Sequence, residues 1–419
     1  MKILHAIKSY SPLSGGMYEV VKQISENLIK KGHDVTIASG GQPNNYKGDI
    51  KVEFFDLSQT GNDKKYQDYL INSDYEIITN FAATQPLTDL ALPILNKVKS
   101  KKVFVPTSFG GIVSKIHKKY FEQMKIWIKN YDLLIFLSND YYDINFARQN
   151  AVPENKMVII PNGASEEEFF DLNNKLDVRK KLGIDENDFV SLHVGSFTGV
   201  KGHEETLEIF SKANISNARL VLIGNGKTKC FREVIKRSTK LNNTQQFKKH
   251  SKSIIVPNLT REETVSMYKE SNLFLFPSNT ECSPIVLFES MAAGIPFLVS
   301  DVGNAKEIIK WSNGGIILPT KYNVILGMNF FDKFKSLIKK YLIKIGFTKK
   351  GPGVSYSKVK IYESAKILES LYASPTQRKE MGENGRKSWL KNFTWEKIAD
   401  IYEHEYYKLL KNKATTNNS

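Results

Sequence analysis

Strand-length apolar runs alternating with amphipathic stretches constrain this chain more than any other feature. Residues 2–7, 34–39, 76–79, 103–106, 133–137 and 157–160 are apolar runs of strand length. Between them, 17–31, 85–99, 115–129 and 138–149 repeat their apolar residues at helical spacing. Such alternation buries its apolar faces as a parallel sheet covered by helices on both sides, and ligands of such sheets bind at the carboxyl ends of the strands. The second half repeats the logic, with strands at 189–194, 219–223, 253–256, 272–276, 297–300 and 315–318. At 419 residues there is enough chain for two cores. The expected fold is therefore α/β, two doubly wound domains. The boundaries read as 1–165, a polar, acidic linker at 166–187 after Pro161-Asn162-Gly163, a second domain over 188–390, and a closing helix at 391–412.

The stretch 280–296, TECSPIVLFESMAAGIP, carries the strongest chemical signal. It follows the buried run 272–276 and Pro277. Ser283 is read as a helix N-cap with Pro284 at the first helical position, and Gly294 and Pro296 end the helix. Glu281 then lies at the helix mouth, and Glu289 lies further down its flank, roughly 9 Å from Ser283 at ~1.5 Å per residue. The mouth offers unpaired N–H groups and the positive end of the dipole, a seat for phosphate. An elongated ligand with phosphate in the middle and hydroxyls at both ends fits such a site, as a nucleotide sugar does.

Four more loops follow strands, and each reads either as an ordinary structural turn or as a loop that meets a ligand. Gly15 and Gly16 open the first helix, and Gly195-Ser196 with Lys201 follow the first strand of the second half. Gly224 stands in a Gly-Asn-Gly turn, and Asn258 and Leu259 precede a helix. Together with Glu281 and Glu289, these motifs resemble the retaining GT-B glycosyltransferases of family four, with their E-x7-E segment and trailing E-x-M-A-x-G-x-P. The resemblance covers nearly the whole chain. It implies two Rossmann-like domains facing across a cleft, with the C-terminal helix crossing back to the first. It also implies transfer of a sugar from a nucleotide-diphosphate sugar, with retention, to a glycan or lipid-linked acceptor in surface polysaccharide or glycoconjugate synthesis.

Carried over residue by residue, the resemblance gives Glu281 the donor-sugar hydroxyls and Glu289 the ribose. Backbone N–H groups of Cys282, Ser283, Pro284, Ile285 and Val286 are placed by it around the sugar or distal phosphate (Pro284 itself having none to give). Lys201 would stabilise the leaving diphosphate, and Lys201 and Glu281 are the catalytic pair. Gly15 and Gly16 would face the diphosphate, and Gly224, Asn258 and Leu259 the nucleoside. Ser108 and Phe109 fall on the acceptor side, where many relatives have a histidine. A second departure is Ser196, where the family has an arginine: a hydroxyl does not replace a bidentate guanidinium. A non-catalytic scaffold partnering a transferase, a nucleotide-sugar epimerase and a phosphorylase therefore stay open as readings.

No metal and no cofactor is expected beyond the nucleotide sugar as substrate, since the sequence has no Asp-x-Asp pair, no Cys/His ligand spacing and no Walker-type loop. The net charge of +16 calls for anionic company, or for no more than a lysine-rich solvated surface; no nucleic-acid motif accompanies it. Two segments mix lysines with apolar residues at helical spacing, 115–129 and 330–350, the latter inside an apparent insertion at 321–358. Each reads either as a helix on an anionic membrane surface or as a helix packed with its lysines outward. Two cysteines and the absence of a signal-like start fit a cytoplasmic protein, soluble or peripheral at the inner face of the membrane.

Overall fold

The computed structural model describes residues 1–10, 15–42, 48–113, 115–226, 228–325 and 355–416. The 330–350 helix and most of the 321–358 insertion lie outside the described residues. The chain divides into two compact units. The first contains Met1–Asn162 and the segment from Trp395 onward, and the second contains Gly163–Val324 and Ser355–Thr394.

The first unit is built on seven strands: β1 (Lys2–Ile7), β2 (Asp34–Ser39), β3 (Lys51–Phe54), β4 (Ile77–Phe81), β5 (Lys101–Val105), β6 (Leu133–Phe136) and β7 (Met157–Ile159). Their order is β3-β2-β1-β4-β5-β6-β7, with parallel pairing throughout. β4 and β6 are buried along their whole length, as strands covered on both faces must be. β3 and the helix Asn62–Asn72 are missing from the sequence reading, because KVEF alternates charge with apolar residues at a sheet edge. The C-terminal helix Trp395–Thr416 belongs to this unit. Its Tyr406 hydroxyl lies 2.7 Å from Thr79 Oγ1 on β4, and Glu403 Oε1 lies 2.7 Å from His33 Nε2.

The second unit has six strands: β8 (Phe189–Val194), β9 (Ala218–Ile223), β10 (Lys252–Ile255), β11 (Leu273–Phe276), β12 (Phe297–Val299) and β13 (Gly315–Ile317). They run parallel in the order β10-β9-β8-β11-β12-β13. The order reverses direction between β8 and β11, which pair through Ser191–Leu273 and Leu192–Phe274. A crevice opens at such a switch point, and it is where doubly wound sheets bind ligands. The stretch 166–187, expected as a linker, packs as part of this unit. Phe169, Val178 and Ile184 lie in its core, and Arg179 donates from Nε and Nη2 to the Glu270 carbonyl at 2.9 and 2.8 Å. Among the described residues no helix is long and apolar enough to cross a membrane.

Candidate active site

Two loops leave the switch point of the second unit, 195–202 after β8 and 277–284 after β11. They cross backbone against backbone. A Cβ on Gly202 (φ +78°) would fall 2.2 Å from the Pro277 carbonyl oxygen, so only glycine fits. The Asn279 N–H donates to the Val200 carbonyl at 2.8 Å, and Ser278 Oγ lies 3.1 Å from the same oxygen. This crossing brings Lys201 to Glu281: Nζ is 2.8 Å from Oε1 and 2.9 Å from Oε2. The Glu281 side chain is 9% exposed and that of Lys201 27%. Ser278 Oγ, 2.8 Å from Glu281 Oε1, fixes the carboxylate from the other side.

Gly195 and Gly224 are packed against one another. A Cβ on Gly224 would come 2.1 Å from the Gly195 carbonyl oxygen, and one on Gly195 would sit 3.3 Å from Lys201 Cβ. Below them lie two buried imidazoles, His193 and His203, with ring centroids 4.5 Å apart. His203 Nε2 donates to the Gly195 carbonyl at 3.1 Å, and His193 Nδ1 donates to that of Leu275 at 2.9 Å. Burial pushes His203 down to about 4 and His193 well below its ordinary value, so both are neutral props of the loop at pH 7. Ser196 is half-buried, and its carbonyl accepts from the Thr198 N–H at 2.7 Å.

The 281–284 turn leads into the helix Ile285–Ala293. Pro284, in extended conformation, occupies the N-cap position, and its side chain makes no cap hydrogen bond. Ser283, expected as the cap, instead accepts from Asn304 Nδ2 at 3.0 Å. The Asn304 N–H donates to the Cys282 carbonyl at 2.8 Å, and Gly303 (φ +51°) lies so close that a Cβ would be 2.1 Å from that same oxygen. The helix mouth is thus shaped from beneath by the Gly303-Asn304 turn, which the sequence reading missed; its only signal was a Gly-Asn pair after the apolar run 297–300. The C-terminal end is closed. Gly294 adopts φ +72°, and Arg386 Nη1 donates to the Ala292 carbonyl and, at 3.0 Å, to that of Phe169.

Glu289, on the second turn, is 4% exposed, and its Oε1 lies 2.6 Å from Arg261 Nη2. Burial first, and then the charge of Glu289, hold the Tyr268 phenol well above its ordinary value. Asn258 is exposed, and Leu259 is half-buried against the core of the unit. Lys201, Gly195, Gly224, Glu281 and the start of this helix therefore converge on one corner of the second unit, with Glu289 down the helix from it.

In the first unit Gly15, extended at φ −178°, precedes the helix Gly16–Lys30, and both glycines are exposed. Among the described residues nothing lies within 4 Å of a Cβ built on Gly15. Ser108 is half-buried, with its Oγ accepting from the Gly110 N–H at 2.9 Å. Thr107 (φ 58°) and Ser108 (φ 154°) are strained, as are Ala82 (φ 64°) and Thr84 (φ 54°) in the neighbouring loop after β4. Phe109 corrects the sequence reading. Its ring is fully buried among Phe104, Phe121 and Phe146, so it builds the core rather than offering a surface to an acceptor. Among the described residues no group of three or more His, Cys, Asp or Glu side chains is placed to hold a metal ion.

Comparison with known proteins gives this corner a context. Residues 174–341 match the family of glycosyl transferases group 1. An uncharacterized glycosyltransferase of Methanocaldococcus jannaschii is 31% identical over 169 residues, covering 39% of this chain and 41% of that protein. N-acetyl-alpha-D-glucosaminyl L-malate synthase of Bacillus anthracis is 21% identical over 98% of both chains. Among solved structures, Anabaena HepE in complex with UDP and glucose superposes with a TM-score of 0.69 at 16% identity, over 97% of this chain and 100% of that one. That last likeness is one of fold.

Proposed function

From a chain whose residues 174–341 are of the glycosyl transferases group 1 family, we propose an enzyme that moves a sugar from a nucleotide-diphosphate sugar to a glycan or lipid-linked acceptor, with retention at the anomeric carbon. The observation that carries the reading is the Lys201–Glu281 pair, set at the sheet's switch point beside a helix N-terminus. The diphosphate takes the helix end, meeting the N–H groups of Cys282, Ser283, Ile285 and Val286. Lys201, whose ammonium has a third hydrogen beyond the two pointing at Glu281, stabilises the charge that grows on the leaving oxygen. Positive groups fixed in advance at a leaving group account for much of the lowering of such barriers. Glu281 accepts from donor-sugar hydroxyls and Glu289 from the ribose. Gly224, Asn258 and Leu259 face the nucleoside. The bond from the anomeric carbon to the diphosphate breaks, the bond to the acceptor oxygen forms on the same face, and the departing diphosphate takes the acceptor's proton. The chemistry needs no metal, since Lys201 and the helix dipole supply the positive potential.

A UDP complex of a protein with the same fold supports a nucleotide-sugar donor. The setting we propose is the cytoplasmic face of a membrane. In support, Ile116 is 89% exposed and Ile126 68% exposed, on a segment carrying Lys118, Lys119 and Lys129 at the surface. A catalytically silent scaffold is the second reading, favoured by Ser196 in place of the family's arginine. One experiment separates the two. The purified chain is offered a panel of UDP-, GDP- and ADP-sugars, and both the melting shift and the release of nucleoside diphosphate are followed. Binding without any release identifies the scaffold, and neither binding nor release sinks both readings.

A further inference from the structure

Arg261 is the first residue of the helix Arg261–Lys269, whose start is rigid. Thr260 Oγ1 accepts from the Glu263 N–H at 3.2 Å, and Glu263 Oε2 accepts from the Thr260 N–H at 2.9 Å. From there the guanidinium reaches two carboxylates on two other elements. Nε is 2.8 Å from Glu168 Oε1, and Nη2 is 2.5 Å from Glu168 Oε2. The same Nη2 is 2.6 Å from Glu289 Oε1. Glu168 sits on the short helix Glu166–Phe169, which Arg386 holds by the carbonyls of Phe169 and Phe170 at 3.0 and 2.7 Å. Three helices therefore meet at one guanidinium, all of them in the second unit.

We propose that Arg261 is the positioning residue that aims Glu289 at the ribose hydroxyls of the donor, and that Glu168 keeps Arg261 from saturating that carboxylate. The proposal rests on the donor reading above. A guanidinium that forks onto a carboxylate engages both of its oxygens and leaves that acid little for a ligand. Here the bidentate fork faces Glu168, and of the guanidinium only the shared Nη2 reaches Glu289, which the Tyr268 phenol also neighbours. Two acids against one base leave the triad with a formal charge of −1, so acceptor capacity remains at Glu289. The contact uses Oε1, which fixes the carboxylate's orientation. A lysine cannot take this place, since one ammonium does not present a fork to one acid and an N–H to another.

The test measures binding of UDP, GDP and ADP, and of their 2′-deoxy counterparts, to the full chain by calorimetry. It compares the unmodified protein with R261M, R261K and E168Q, and records the melting temperature of each. The unmodified chain should prefer the ribonucleotide to its deoxy form by roughly tenfold or more, the worth of a hydrogen bond to a charged group. R261M should lose most of that preference, R261K should fail to restore it, and E168Q should fall between. If R261M lowers the melting temperature but keeps the full ribose preference, Arg261 is only a staple between helices, and the inference is wrong. Should R261M not fold, R261K and E168Q decide by the same ratio. A parent chain that binds nucleotides without preferring ribose also overturns the inference while the donor reading stands. If it binds none of the six, the donor reading itself fails.

Discussion

Lys201 and Glu281, 80 residues apart in sequence, meet with the ammonium between both carboxylate oxygens at 2.8 and 2.9 Å. Each sits on a loop that follows a strand at the sheet's switch point. If the pair acts as a unit on the leaving diphosphate, K201A should lower kcat by about 10²–10³-fold with a smaller change in donor KM. The double variant K201A/E281A should be little worse than the poorer single one, because groups acting together are not additive. Independent, multiplicative losses in steady-state rates would refute the coupled role.

Gly224 offers a test of the loop's geometry that leaves its chemistry untouched. Its α-carbon faces the Gly195 carbonyl so closely that a methyl would sit 2.1 Å from the oxygen. G224A should cost about 1–3 kcal/mol of stability in denaturant titration, the usual toll of overpacking, and should weaken donor binding along with it. An unchanged unfolding midpoint would mean that the two loops are less tightly apposed than described.

Asp143 gives a prediction with a pH signature. It is 1% exposed in the first turn of the helix Tyr142–Gln149, and its Oδ2 has no hydrogen-bond partner among the described residues. Burial raises its carboxyl to about 6. The unfolded chain loses this proton near pH 4, whereas the folded one keeps it until about 6. Stability therefore falls as pH rises from about 4 to 6, and the deficit persists above that window. D143N should remove it, stabilising the protein at pH 7.5 by on the order of 1–3 kcal/mol and hardly at all at pH 4. Melting curves of the two proteins at both pH values check this, and an equal gain at pH 4 would rule out ionisation as the cause.

The exposed isoleucines test the membrane setting. I116S and I126S remove apolar surface that touches little else, so the melting temperature should stay put. Co-sedimentation with vesicles rich in phosphatidylglycerol should fall by roughly tenfold for the pair, with the remainder sensitive to salt. If the parent protein ignores anionic vesicles at low salt, the membrane setting is wrong.

The strands were legible because each parallel strand is buried on both faces, and LFLF at 273–276 admits few other fates. Glu281 and Glu289 were legible through the strand, loop and helix they stand on, and Lys201 through the resemblance of its loop to the family's. What escaped was tertiary in origin. The Ser283 hydroxyl reads as a cap locally, yet Asn304 claims it from across the next loop. Phe109 falls on the acceptor side by its place in the family's pattern, whereas three other rings close around it in the core. Arg261 carried no motif at all, since its partners lie 93 residues upstream and on a neighbouring helix. The polar, acidic composition of 166–187 spoke for a tether, whereas Phe169, Val178 and Ile184 anchor it.

The contact of Gly202 with the Pro277 carbonyl ties two strand ends into a single floor. A floor of that kind has little capacity to remould itself for different sugars. Preference among donors would then be written in the side chains around it, and altering those while sparing 202 and 277 is the direct route to a changed selectivity.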